Sequence, residues 1–313
     1  MSVLRQKPAV LMSASAYTAA CAEFEHWAAH GRRHGGSAWE AVVYPLVGLV
    51  PRPGAGRSPL EPTPLAACAA LVVPRVVLPP AALAHYGPTW ARPGDAAAPA
   101  GAADELQARL AAGRAPHPRL DCYGRLHSHP WPHAHPHLSG TDCAEHLSGA
   151  LAGNGAAGLP WALGLVAAAP RPGDPGTWPI QAYGLRAGGA LVDLGGVTIA
   201  SDADPRVRWV LGRAGWATPA GARWRARQIV TLAARGMPAA GHPLHRGWYG
   251  LAIRRPNRPV CLVALPPGFP AQPPRLLRPA AGGGWMGIAG PPALPRWSAY
   301  HLVEYVARAE ARR

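Results

Sequence analysis

Lysine is nearly missing from this chain: Lys7 is the only one in 313 residues, so its basic character rests on arginine. Carboxylates are scarce as well. There are 16 Asp and Glu against 31 Lys and Arg, a formal net charge of +15. So few acids narrow the candidates for any proton-transfer role. Clustered arginine can neutralise phosphates, but here the arginines are scattered, and the densest run is Arg223, Arg225 and Arg227 around Trp224. No recognisable nucleic-acid module accompanies that run. A nucleic-acid role is therefore set aside, and the charge is read as suited to steering an acidic protein partner.

Cysteine is limited to Cys21, Cys68, Cys122, Cys143 and Cys261. The count is odd, the spacing wide, and no C-x-x-C occurs, which excludes a disulfide framework and fits a reducing compartment. No run of about 20 apolar residues is long enough to span a bilayer. No apolar stretch follows a basic start, so no signal peptide is read. The expectation is a cytoplasmic protein without a membrane partner. Proline and glycine are plentiful, at 38 and 37, beside 49% hydrophobic residues. They punctuate apolar runs rather than replace them, so the chain reads as ordered domains with long Pro/Gly loops. Its length allows one large domain or two ordinary ones.

Periodicity orders the first part as follows. A strand over 9–13 precedes a helix over 15–29, ended by Gly35 and Gly36. A strand-rich segment over 40–50 and a Pro/Gly loop over 51–64 lead to a further strand within 65–78. An irregular insertion spans 79–100, and a short helix spans 103–112. The run Leu120 to Leu126 reads as a strand leading directly into His127. A helical pattern then starts near Thr141, with Cys143, Leu147 and Leu151 apolar. Strands follow over 161–168, 180–185 and 190–194, the last two joined through Gly188 and Gly189. This order predicts a mixed α/β (α+β) domain closing near residue 198. Beyond it, helical patterns over 205–211 and 222–234, strands over 248–253 and 260–265 turning at Pro256 and Asn257, a proline loop over 266–274 and a closing helix over 297–312 make a second region.

The chemistry concentrates at His127-Ser128-His129-Pro130. Two histidines one residue apart at a strand end can aim both imidazoles at one metal ion, and strand ends hold ligands more rigidly than loops. Asp142 can add a third ligand, leaving a fourth position for water, as in catalytic rather than structural zinc sites. Histidine also recurs at His133, His135 and His137, and such tracts can be loose surface metal binders instead. Ser139, just before the helix, can cap it or face the metal. Hydrolysis also needs a carboxylate to move the water's proton. Glu40 stands out for this, at the head of a strand able to run beside the His127 strand.

Glu40, then His127-Ser128-His129-Pro130, then Ser139-Gly140-Thr141-Asp142 resembles the JAB1/MPN/Mov34 (JAMM) zinc metallopeptidase pattern. The segment Trp39 to Gly48 looks like that family's glutamate strand. The resemblance covers residues 8–198, with insertions about 51–64 and 79–100. One departure is a gap of nine residues, Pro130 to Leu138, before Ser139, longer by two than the family's usual spacing. The resemblance implies a mixed sheet flanked by helices, with His127, His129 and Asp142 binding Zn²⁺ and water. It implies Glu40 as proton shuttle and Ser139 as hydrogen-bond donor to the oxyanion. Active members cleave after the C-terminal glycine of ubiquitin or a ubiquitin-like protein, and bacterial relatives trim sulfur-carrier proteins. Members lacking the ligands are scaffolds, so a non-catalytic MPN scaffold is the reading from another class.

In residues 205–313, Pro266, Phe269, Pro270, Pro273 and Pro274 follow a strand and resemble the P-x-x-Y-P-x-x-P-P run of the ubiquitin-conjugating-enzyme fold, with Phe for Tyr. No cysteine follows Cys261, so the resemblance implies a smaller α+β domain without conjugating activity. That domain would bind a ubiquitin-like protein, or the activating and conjugating enzymes of the same system. Cys261 itself reads as a small core residue.

Overall fold

The computed structural model describes residues 7–53, 63–86, 101–132, 135–140, 142–143, 161–171, 177–186, 190–244, 247–255, 258–280, 285–288 and 308. Within these the architecture is mixed α/β. The chain divides into two compact units, one of residues 1–56, 62–115 and 120–211, the other of 57–61, 116–119 and 212–313.

The first unit opens with β1 (Ala9–Ser13) and α1 (Ala14–Gly35). Ser13 makes the transition: its Oγ accepts the Ala16 N–H at 3.2 Å and donates to the Pro74 carbonyl at 3.0 Å. It is an N-cap that also ties the helix start to a neighbouring strand. The helical pattern reaches only residue 29, but the helix runs on to Gly35, next to the Gly35–Gly36 stop read from the sequence, and Gly31 within it serves packing. A Cβ there would lie 2.4 Å from Trp39 Cδ1, so the glycine gives the indole its seat. Gly36, with φ 74°, closes the helix.

The strands that follow are β2 (Glu40–Pro51), β3 (Cys68–Val77), β4 (His85–Tyr86), β5 (Leu120–Cys122), β6 (Gly124–Pro132), β7 (Trp161–Ala169), β8 (Ile180–Arg186), β9 (Leu191–Gly196) and β10 (Thr198–Ala200), with α2 (Ala102–Arg114) before β5. Their order is β10-β1-β3-β2-β6-β7-β8-β9, and β4 and β5 also pair with β2. β1 lies parallel to β3 and β10, and β6 parallel to β7; the remaining pairs are antiparallel. One face buries Phe24 and Trp27 of α1 with Met12, Val43, Leu71, Leu126 and Leu165. Leu106 and Leu110 of α2 share a second cluster with Leu11, Leu46 and Val72.

A further helix, α3 (Pro205–Leu211), belongs to this unit rather than to the second region where the sequence pattern had placed it. Val207 and Val210 are fully buried in that second cluster. Gly48 on β2 makes the room, since a Cβ there would come 2.4 Å from Val210 Cγ1.

The second unit carries α4 (Pro219–Ala233) and an antiparallel meander of β11 (Ala239–Pro243), β12 (Tyr249–Arg255), β13 (Arg258–Leu265), β14 (Arg275–Pro279) and β15 (Trp285–Ile288). Its core holds Trp216, Leu232, Leu251, Val263 and Phe269, with Cys261 buried among them. The proline loop over 266–274 is anchored by Phe269, whose ring lies 4.7 Å from that of Trp224. The arginine run is divided. Arg225 turns inward, its guanidinium 4.2 Å from the Tyr249 ring and its Nε donating to the Trp216 carbonyl at 3.0 Å, while Arg223 and Arg227 face solvent. A phosphate-binding stripe would show all three.

The helical pattern beyond Cys143, the turns at 187–189 and 256–257, most of the 79–100 insertion and the closing helix apart from Arg308 lie outside the described residues. Among the described residues no helix is long and apolar enough to cross a membrane.

Candidate metal centre

The two histidines lie within β6, not after it. The run from Leu120 breaks at Tyr123, which stacks on Trp161 at 5.1 Å and 8°. The strand restarts at Gly124, where a Cβ would lie 1.8 Å from the Leu163 carbonyl oxygen. Only glycine allows β6 and β7 this approach. Alternation along β6 then does the sorting. Leu126 enters the α1-side core, and fully buried Ser128 points the same way. His127 and His129 share the opposite face, both buried.

Asp142 reaches that face through three contacts. Leu138 packs on Ala162, Val166, Tyr183 and Leu185, over Gly164, where a Cβ would be 2.6 Å from Leu138 Cδ1. Tyr183 Oη donates to the Pro136 carbonyl at 2.9 Å. Ser139 then caps the helix start: its Oγ accepts the Asp142 N–H at 3.1 Å, and Asp142 Oδ2 accepts the Ser139 N–H at 2.7 Å. This reciprocal capping box fixes the carboxylate and leaves Oδ1 facing His127. Ser139 uses a lone pair as a cap, so its hydroxyl proton remains available for donation.

His127 Nε2 lies 3.2 Å from His129 Nε2 and 3.7 Å from Asp142 Oδ1. The three ligand atoms all lie within 4.8 Å of one another. Tetrahedral metal bonds of about 2.0–2.1 Å place ligand atoms about 3.3–3.4 Å apart. Two nitrogens and one carboxylate oxygen at these separations fit a four-coordinate divalent cation. Among the described residues this is the one place where three such side chains converge. Burial lowers the His127 pKa, with His129 and Arg125 adding to the effect and Asp142 opposing it. The imidazole is thereby held neutral, the form that donates a lone pair to a metal. His135 and His137 have exposed side chains, and His133 lies outside the described residues.

Glu40 enters through register. β2 pairs Val42 with His127 and Val43 with Leu126. Glu40 is two residues before Val42 on β2, so strand alternation puts it on the same face of the sheet as Val42 and its partner His127. It is half-buried and pairs through its backbone with Tyr86 of β4. The Ala41 N–H next to it donates to Ser128 Oγ at 3.0 Å.

A two-residue bulge follows His129 on β6. His129 pairs with Ala168 and Pro132 with Ala169, so Pro130 and Trp131 have no counterpart on β7. Asp142 arrives beside His127 across the nine-residue gap that precedes Ser139. Sequence reasoning missed Trp131, whose ring stacks on His129 at 5.1 Å and 17°. The only available signal was an aromatic residue between two prolines directly after a ligand motif.

Comparison with protein-family models and with curated proteins finds no match.

Proposed function

We propose that this protein is a zinc-dependent isopeptidase of JAMM type, cleaving after the C-terminal glycine of a ubiquitin-like protein. The observation that carries the reading is the convergence of His127, His129 and Asp142 on one point, with Glu40 two residues before Val42, the β2 partner of His127. His127, His129 and Asp142 would hold the ion. Zinc in such a site supplies a Lewis acid that makes water ionisable near neutral pH. Glu40 takes the proton from the attacking water and delivers it to the leaving amine as the C–N bond breaks. The Ser139 hydroxyl donates to the oxygen that becomes negative when water adds to the carbonyl.

In the second unit, α4, the antiparallel meander and the anchored loop of Pro266, Phe269 and Pro270 support a ubiquitin-conjugating-enzyme-like domain. Cys261 is buried in its core, in keeping with recruitment of a modifier or its enzymes rather than transfer.

The test is metal content by plasma mass spectrometry, combined with cleavage of a ubiquitin-like protein fused through its C-terminal glycine. The reading requires about one zinc per chain. It also requires Glu40→Gln to keep the zinc while losing about 10²–10⁴-fold in rate, the usual contribution of a positioned acid–base group. A zinc-free protein, or cleavage that survives Glu40→Gln, refutes it.

A further inference from the structure

Trp131 is a large aromatic residue left 46% exposed in direct contact with a candidate metal ligand. Three observations show that it is held in place. It stands on the two-residue bulge after His129, and bulges beside active sites re-aim a side chain. Pro130 and Pro132 flank it, one with fixed φ and the other restricting Trp131 itself to extended backbone. One ring face lies on His129 at 5.1 Å and 17°, which leaves the rest of the indole to solvent. Besides resting on the imidazole, the indole presents a surface beside the point where the ligands converge.

We propose that Trp131 is a specificity-determining residue, a flat wall on which the extended, glycine-ended tail of the substrate lies as it approaches the metal. This rests on the isopeptidase reading and adds to it the residue that selects the tail. A peptide without Cβ atoms can place its amide planes directly on an indole face. A side chain at the same position must lift away from it, so the wall favours glycine just before the scissile bond.

The probes are a hexapeptide ending in Gly-Gly with a fluorogenic amide, the matching Ala-Ala peptide, and the Gly-Gly peptide as free acid. Trp131→Ala is expected to retain its zinc and melting temperature, to raise KM for the Gly-Gly amide about tenfold with kcat within about threefold, and to narrow the preference for Gly-Gly over Ala-Ala. Such a loss is the scale of one aromatic contact. Trp131→Phe should recover most of the effect. An unchanged KM, or a fall in kcat that tracks lost zinc, overturns the proposal and reduces Trp131 to packing on His129. Calorimetric titration of the free acid into Glu40→Gln and into the Glu40→Gln, Trp131→Ala double variant separates the two readings. If Glu40→Gln binds and the double variant binds about tenfold more weakly, the wall stands even if no amide is cleaved. Equal binding, or none in either, sinks the wall whether or not the protein is a peptidase.

Discussion

The Ala41 N–H donates to Ser128 Oγ at 3.0 Å, and both residues are fully buried. One bond thus joins the residue after Glu40 to the residue between the two histidines. It sets the spacing between the candidate base and the candidate ligands from behind the sheet, where neither ligand points. Ser128→Ala removes the acceptor and leaves the Ala41 N–H in an apolar surrounding. The expected cost is about 1–3 kcal/mol, read as a lower urea midpoint at unchanged m-value, together with weaker metal binding.

Asp142 has two oxygens with separate duties, Oδ2 to the Ser139 N–H and Oδ1 toward His127. Asp142→Asn preserves an acceptor for the cap and removes the negative charge. It is expected to fold normally but to bind zinc far more weakly. A zinc concentration 100-fold above the dissociation constant should raise wild-type stability by about 2.7 kcal/mol, and the same addition should leave the variant's thermal midpoint almost unmoved.

Gly124 and Gly140 make a contrasting pair. A Cβ on Gly124 would meet the Leu163 carbonyl oxygen at 1.8 Å, whereas one on Gly140 meets nothing within 4 Å. Gly124→Ala should prevent β6 from closing on β7, giving little folded protein on expression. Gly140→Ala lies in the first turn of a helix, where alanine costs less backbone entropy. It should be neutral or stabilising by up to about 1 kcal/mol in thermal unfolding.

Asp204 caps α3, its Oδ1 accepting the Arg206 N–H at 2.8 Å ahead of Pro205 at the first helical position. The Arg206 side chain first, and the backbone N–H next, hold its pKa at about 2 instead of 3.8. The depressed value means that the contribution is complete above 3.8 and is lost as pH falls toward about 2. Asp204→Asn still caps but does not titrate there. Its unfolding free energy should therefore fall less steeply than wild type between pH 4 and pH 2 in acid titrations followed by circular dichroism.

The face that carries the candidate ligands was more legible in the sequence than the fold around it. H-x-H on a strand puts both imidazoles on one side whatever the strand pairs with, and S-x-x-D is a local capping pattern, so neither depends on distant contacts. Other features do. That Gly31 seats the Trp39 indole depends on a residue eight positions further along the chain. The break at Tyr123 answers to Trp161. β11, with the sequence AAGHP, is an exposed edge strand without apolar alternation, and β14 and β15 are short strands among prolines and glycines. The place of α3 is decided by a hollow over Gly48 that no local pattern reveals.

The candidate ligands come from two kinds of backbone. His127 and His129 lie on a strand between β2 and β7, and both residues pair with β7, so this strand is released only as the sheet opens. Asp142 comes from a helix start held to that sheet by the seating of Leu138 and the Tyr183 bond to Pro136, contacts that can release locally. An ion shared between the two would act as a rivet. Its occupancy would be written in hydrogen-exchange protection at residues 138–143, while the histidine strand would exchange slowly whether the ion is present or not.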